Sequence, residues 1–157
     1  MTRPPERVAD YPRPPRLERD TRRVRVVLGG QTILDTDTAW RVLETTHPPT
    51  FYLPMEAFAP GALIRSKRSS FCEWKGQATY WTVQGGGRTV PDAAWGYDNP
   101  SPGFEPIRGH VALYAGPMDA CTVGDERVTP QEGGFYGGWI TSELVGPFKG
   151  GPGTMLW

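Results

Sequence analysis

Residues 66–90 read SKRSSFCEWKGQATYWTVQGGGRTV, and this stretch decides the fold class. Within it Gln77 to Val83, QATYWTV, is a strand-length run of β-branched and aromatic residues. That composition suits a pleated, half-buried surface. Gly85-Gly86-Gly87 closes the run, because consecutive glycines favour a turn over continuation of either a strand or a helix.

Working outward, the same grammar repeats. VRVVLGGQTILDT, from Val24 to Thr36, reads as two strands joined at Gly29-Gly30, where both residues tolerate the positive φ of a tight hairpin. TAWRVLET favours a strand through its Thr, Trp and Val content. THPPTFYLP is extended, since each Pro pushes its predecessor away from the helical region. MEAFAPGALI has room for one helical turn before Gly61. PDAAWGYD is expected to be a short helix, with Pro91 in its first turn and Asp92 at the positive helix start. IRGHVALYA and MDACTVG are two further strands, and Gly124-Asp125-Glu126 is a turn. The expected fold is therefore mostly β, with a short helix or two and no internal repeat.

Two boundaries frame that fold. Residues 1–23 form a Pro/Arg-rich arm without apolar periodicity, and order is expected to begin at Val24. Residues 24–157 are expected to form one β domain, whose ending, GGFYGGWITSELVGPFKGGPGTMLW, sets glycines among large aromatics. At 157 residues the chain can bury one substantial core. Its 20 glycines and 17 prolines disfavour long helices.

Charge narrows the function classes. The 17 Lys and Arg balance 17 Asp and Glu, so the basic excess of a nucleic-acid binder is missing. No apolar run reaches membrane-spanning length. The Met1-Thr2-Arg3-Pro4-Pro5 start carries no signal-peptide core, and a cytoplasmic protein is expected. Cys72 and Cys121 stand alone, without the paired spacing of a zinc site, so neither a metal nor another cofactor is expected.

The chemistry concentrates between Ser69 and Gly76. Cys72 is a candidate nucleophile if a nearby cation favours its thiolate. Lys75 supplies that cation only if the segment turns, because a flat strand would point the two residues to opposite faces. The plain alternative is that Cys72 is a small buried hydrophobe. Arg65, Lys67 and Arg68 form a basic cluster suited to a carboxylate or phosphate, or simply a solvated charge run. His47 and His110, the only imidazoles, read as ordinary loop and strand residues. Asp35 and Asp37 superficially resemble a metal-holding acid pair, but the glycines before them read as a hairpin turn rather than a phosphate cradle.

HPPTFYLP, SFCEWKGQATYW, PDAAWGYDNP and GHVALYAG together resemble the bacterial domain-of-unknown-function 427 family, which also carries a nucleotidyltransferase label. The ending looks like the tail of a longer, actinobacterial type of member. The resemblance implies a compact, tent-like, metal-free β fold. By motif it directs attention to Cys72, Lys75, Gly76, Tyr80, Trp95 and Tyr97, with Arg65 and Ser69 as weaker additions.

Three readings follow. In the first, the domain handles a small molecule, with catalysis as one option. Cys72 and Lys75 would then be the reactive pair, and Arg65, Ser69, Tyr80, Trp95 and Tyr97 would contact the ligand, with Lys75 fixing an anionic group. In the second, it is a non-catalytic interaction module, a homo-oligomer among the options, whose arm and tail pack on another protein. The third is a nucleotidyltransferase. The discriminating observation is whether Cys72 and Lys75 share one concavity.

Overall fold

The computed structural model describes residues 3–133, 136–150 and 153–154. In chain order its strands are β1 (Glu6–Arg7), β2 (Arg16–Asp20), β3 (Val24–Leu28), β4 (Gln31–Thr36), β5 (Ala39–Leu43), β6 (Thr50–Pro54), β7 (Leu63–Cys72) and β8 (Gly76–Gly85). They continue with β9 (Arg88–Gly96), β10 (His110–Leu113), β11 (Ala120–Val123), β12 (Glu126–Arg127), β13 (Thr129–Pro130), β14 (Trp139–Ile140) and β15 (Leu144–Val145). The helical elements among the described residues are single 3-10 turns at Val8–Asp10, Met55–Ala57 and Glu105–Ile107. The fold is thus mostly β, as the strand-length runs indicate. The turn expected within MEAFAPGALI is the one at Met55–Ala57.

A seven-stranded sheet, ordered β2-β5-β6-β10-β9-β8-β7, faces a four-stranded sheet, ordered β12-β11-β3-β4. Every pairing in both is antiparallel. Between them lies the main core. Val24, Val26 and Leu28 of β3 and Ile33 and Leu34 of β4 meet Phe51 and Leu53 of β6 and Val111 and Leu113 of β10. Each such side chain contributes about 1.5–3 kcal/mol through loss of apolar surface to water. Because strand side chains alternate, Tyr52, Trp95 and Ala112 point to the opposite face of the large sheet, where a second cluster forms.

The two hairpin turns lock together. Gly29 (φ 60°) and Gly86 (φ 53°) both sit in the left-handed region. A Cβ on Gly29 would lie 2.4 Å from the Gly85 carbonyl oxygen, so backbone packs directly on backbone here.

Two expectations are corrected. PDAAWGYD is not a helix: Pro91 to Gly96 belong to β9, paired with β8 on one side and β10 on the other. Pro91 is tolerated because the β8–β9 register shifts between Trp81 and Val83, and β10 pairs only with Ala94–Gly96. Asp92, with φ 53°, takes up the bulge. Pairing on both flanks outweighs a local helix-start signal.

Order also begins well before Val24. Arg16–Asp20 pairs residue for residue with β5, and Val8 and Tyr11 are buried against Leu43. β2 reads RLERD because it is a sheet edge, where charges discourage pairing with another chain. That charge content masks it as a solvated tail. β1 meanwhile pairs in parallel with β15, so arm and tail hold each other.

The tail is described only in part. Gly134, Phe135 and residues 151–152 and 155–157 of the expected Gly- and aromatic-rich ending lie outside the described residues. Trp139 of that ending is buried in the main core, stacked 5.2 Å from Phe51, with its indole N–H donating to the Leu113 carbonyl at 3.0 Å.

Candidate functional site

The β7–β8 hairpin closes with Cys72 opposite Gly76, leaving Glu73, Trp74 and Lys75 as its turn. The segment therefore does turn, and Cys72 and Lys75 line one cavity of about 180 Å³. The turn is held from outside by the backbone N–H of Ser101, which donates to the Lys75 carbonyl at 2.9 Å. Gly76, at φ 105°, brings the chain close beneath Asn99.

The cavity wall is mainly aromatic. Tyr52 from β6, Tyr80 from β8, and Trp95 and Tyr97 at the end of β9 converge there with Tyr114 and Tyr136. Val42, Thr50, Ser70 and Phe71 complete the apolar and hydroxyl lining, and Glu44, His47, Gln131 and Gly137 close one end. Tyr52 and Tyr97 face each other at 6.3 Å and Trp95 lies 4.7 Å from Tyr114. Tyr80 shares a 3.0 Å hydrogen bond with the Ser70 hydroxyl.

Lys75 is the electrostatic focus. It is only 9% exposed, and its ammonium lies 5.8 Å from the centroid of the Tyr97 ring. Among the described residues it has neither an ion pair nor a side-chain hydrogen bond. A cation over an aromatic face gains about 0.5–2 kcal/mol, less than desolvation of a charge costs. Its surroundings leave that charge open to an incoming anion.

Tyr52, Tyr97 and Tyr114 stay protonated at neutral pH. Burial pushes Tyr97 far above the ordinary tyrosine range, with Tyr52 adding to the rise and Lys75 opposing it. Burial does the same to Tyr52, and raises Tyr114 to a lesser degree. A protonated phenol can donate a hydrogen bond, and the Tyr52 and Tyr97 hydroxyls engage each other. His47 is held neutral, since burial lowers its pKa despite the opposing pull of Glu44. Its Nδ1 lies 3.0 Å from the Thr45 carbonyl and so carries the proton. The imidazole meets Tyr136 edge-on at 4.9 Å.

Of the residues expected from the sequence, Cys72, Lys75, Tyr80, Trp95 and Tyr97 come together. Arg65 and Ser69 do not line the cavity. Arg65 pairs with Asp98 at 2.8 Å and lies over Trp81. Ser69 sits opposite Thr79 on the exposed outer strand. A bulge between Arg65 and Ser69 resets the alternation of β7, so Ser70 takes the inward position instead. Arg68 stacks over Tyr80 at 4.4 Å, outside the cavity lining.

Several lining residues were missed. His47 was read as an ordinary loop residue, and Tyr52, Tyr114, Gln131 and Tyr136 were not singled out. They lie on four separate segments that only tertiary pairing brings together. The one usable signal was the abundance of tyrosine in otherwise apolar strand runs.

Asp35 and Asp37 lie away from the cavity, on and just after β4 of the other sheet. Asp35 accepts from Arg23 and pairs with Arg25 at 3.3 Å, and its hydrogen bond from Arg23 holds its pKa down. Among the described residues no three His, Cys, Asp or Glu side chains converge in a metal-binding arrangement.

The architecture defines a mostly β protein whose two main sheets are antiparallel, with an aromatic cavity outside the main core. The chain belongs to the family described as a domain of unknown function, DUF427, whose model matches residues 16–124. No curated protein matches it. The matched span begins at the first residue of β2, within the expected arm. Gln131, Tyr136 and Gly137, which close the cavity, lie beyond its end.

Proposed function

We propose that this domain binds a small monoanionic organic molecule in the cavity, with Lys75 as its charge partner. The observation that carries this reading is the buried Lys75 ammonium, unpaired among the described residues and facing aromatic walls. Among the described lining residues Lys75 is the one ammonium or guanidinium and Glu44 the one carboxylate, which favours a monoanion over a dianion. A void of about 150 Å³ is enough to hold a benzene-sized molecule, so the cavity suits an organic acid of that order. The protonated phenols would donate to its oxygens.

Cys72 sits in the same wall, half-buried, where a thiol beside a bound electrophile could act as nucleophile. That catalytic extension rests on proximity alone. Less supports the other two readings. A nucleoside triphosphate needs a larger site than this cavity, and Asp35 is engaged by arginines on another sheet. The interaction-module reading relied on an arm and tail free to pack elsewhere, whereas β1 pairs with β15 in the same chain.

The test compares aromatic and short-chain carboxylic acids with their primary amides, which keep shape and lose charge. Binding is followed by shifts of the protein's amide resonances. Acids should bind and amides should not, with the shifts centred on the β7–β8 turn. Equal binding of acid and amide would overturn the reading.

A further inference from the structure

A second hollow, of about 300 Å³, adjoins the first and shares Tyr114, Gln131, Tyr136 and Gly137 with it. Its remaining wall is largely apolar, including Ala115, Pro117 and Pro130, and it holds no charged side chain among the described residues. The partition is thin because Gly137 packs flat on Trp95. A Cβ there would lie 2.1 Å from the indole ring, so only glycine lets the strand of chain at 136–138 pass between the two spaces. Gln131 is committed to that passage. Its amide nitrogen donates to the Lys149 carbonyl at 2.6 Å, and its side-chain oxygen accepts from the Gly138 N–H at 3.0 Å.

We infer that the ligand is an amphiphilic monocarboxylate, its head at Lys75 and its apolar tail running past Tyr114 and Tyr136 into the second hollow. This rests on the monoanion reading and deepens it. Charge is confined to one compartment, and the adjoining one offers apolar surface that water solvates poorly. A cation in one chamber and an uncharged, proline-walled chamber beside it match a carboxylate joined to a hydrocarbon tail. Together the two volumes fall within the about 300–1,000 Å³ typical of organic ligands, whereas the first alone does not.

The experiment titrates the protein with acetate, butyrate, hexanoate and octanoate. Each methylene entering the apolar hollow should tighten binding about threefold. Octanoate, with four more methylenes, should therefore bind on the order of a hundredfold tighter than butyrate. Gly116→Leu then fills the second hollow. Gly116 lies outside the left-handed region, and a Cβ there meets only Pro130 Cγ, at 4.0 Å, so the substitution is unstrained. It should leave butyrate affinity unchanged and abolish the octanoate advantage.

Affinity independent of chain length in the wild-type protein would overturn the inference, without reliance on any variant. So would equal weakening of short and long acids by Gly116→Leu. In both cases the monoanion reading survives, provided the acids still bind and their amides do not. If no acid binds, both fall together.

Discussion

Arg41 on β5 is surrounded by Glu6, Glu18 and Asp20, while Lys75 at the β7–β8 turn has no carboxylate partner among the described residues. Both cations are buried, and both belong to the same seven-stranded sheet. Arg41 shares a face with Ala39 of the main core, and Lys75 lies with the tyrosine cluster of the other face. Around Arg41 the charges are over-supplied with partners, and Arg22 extends the network to Asp20 at 2.6 Å and Glu143 at 2.8 Å. Such an arrangement ties the N-terminal segment to the sheet. Lys75 ties nothing together. A buried charge without a carboxylate partner among the described residues carries a structural cost, which the anion of the proposed function would offset.

The largest effect should come from removing the ion-paired cation. Arg41→Met leaves Glu6 and Glu18 without their shared guanidinium and Asp20 with Arg22 and the more distant Arg3. Breaking a buried ion network in this way costs about 3–5 kcal/mol. Urea denaturation should show the loss. A change under about 1 kcal/mol would place Arg41 among ordinary surface pairs and dissolve the contrast.

A pH dependence sharpens the same point. Burial alone would raise the Glu6 pKa, but hydrogen bonds from Arg41, Tyr11 and Arg3 reverse this and hold it at about 2, against an ordinary 4.5. A depressed carboxyl pKa contributes stability that is fully present above about 4.5 and is lost as pH falls toward about 2. Discounted for partial exposure, the contribution is about 2 kcal/mol. Glu6→Gln should therefore lower stability at neutral pH, and the gap from wild type should shrink as the solution is acidified below the ordinary glutamate range. A gap constant with pH would mean that Glu6 is not held by these donors.

On the cavity side the expected stability changes are small and the chemical ones larger. Cys121 is 2% exposed, and burial pushes its thiol up to about 12. Cys72 is half-buried at the cavity wall. Iodoacetamide should label Cys72 well before Cys121 at neutral pH, and Cys72→Ser should cost under about 1 kcal/mol. Equal, slow labelling of both thiols would return Cys72 to the packed interior.

The same contrast explains what could be read in the sequence. The strand run QATYWTV and its glycine turn are local, so composition suffices to find β8 and its hairpin. Cys72 and Lys75 were legible because they lie within one turn. The Arg41 network was not, because its partners come from residues that look like a solvated arm: β2 is charged for being an edge. β9 was misread because Pro91 and Asp92 give the same local signal for a helix start and for a strand bulge. Tyr52, Tyr114 and Tyr136 were not linked to the site, since side-chain alternation says which face a residue takes but not which distant segment joins it there.

The most direct measurement is a paired one on Lys75→Met, which keeps most of the aliphatic stem and removes the charge. Melting temperature and the affinity of a bound carboxylate are compared with wild type. Because the ammonium has no ion pair or side-chain hydrogen bond among the described residues, stability should change by no more than about half a kcal/mol, or rise. Carboxylate affinity should fall by about tenfold or more, as loss of a charge-assisted contact does. A folded variant that binds the acid as tightly as wild type would contradict the account and remove Lys75 from the site.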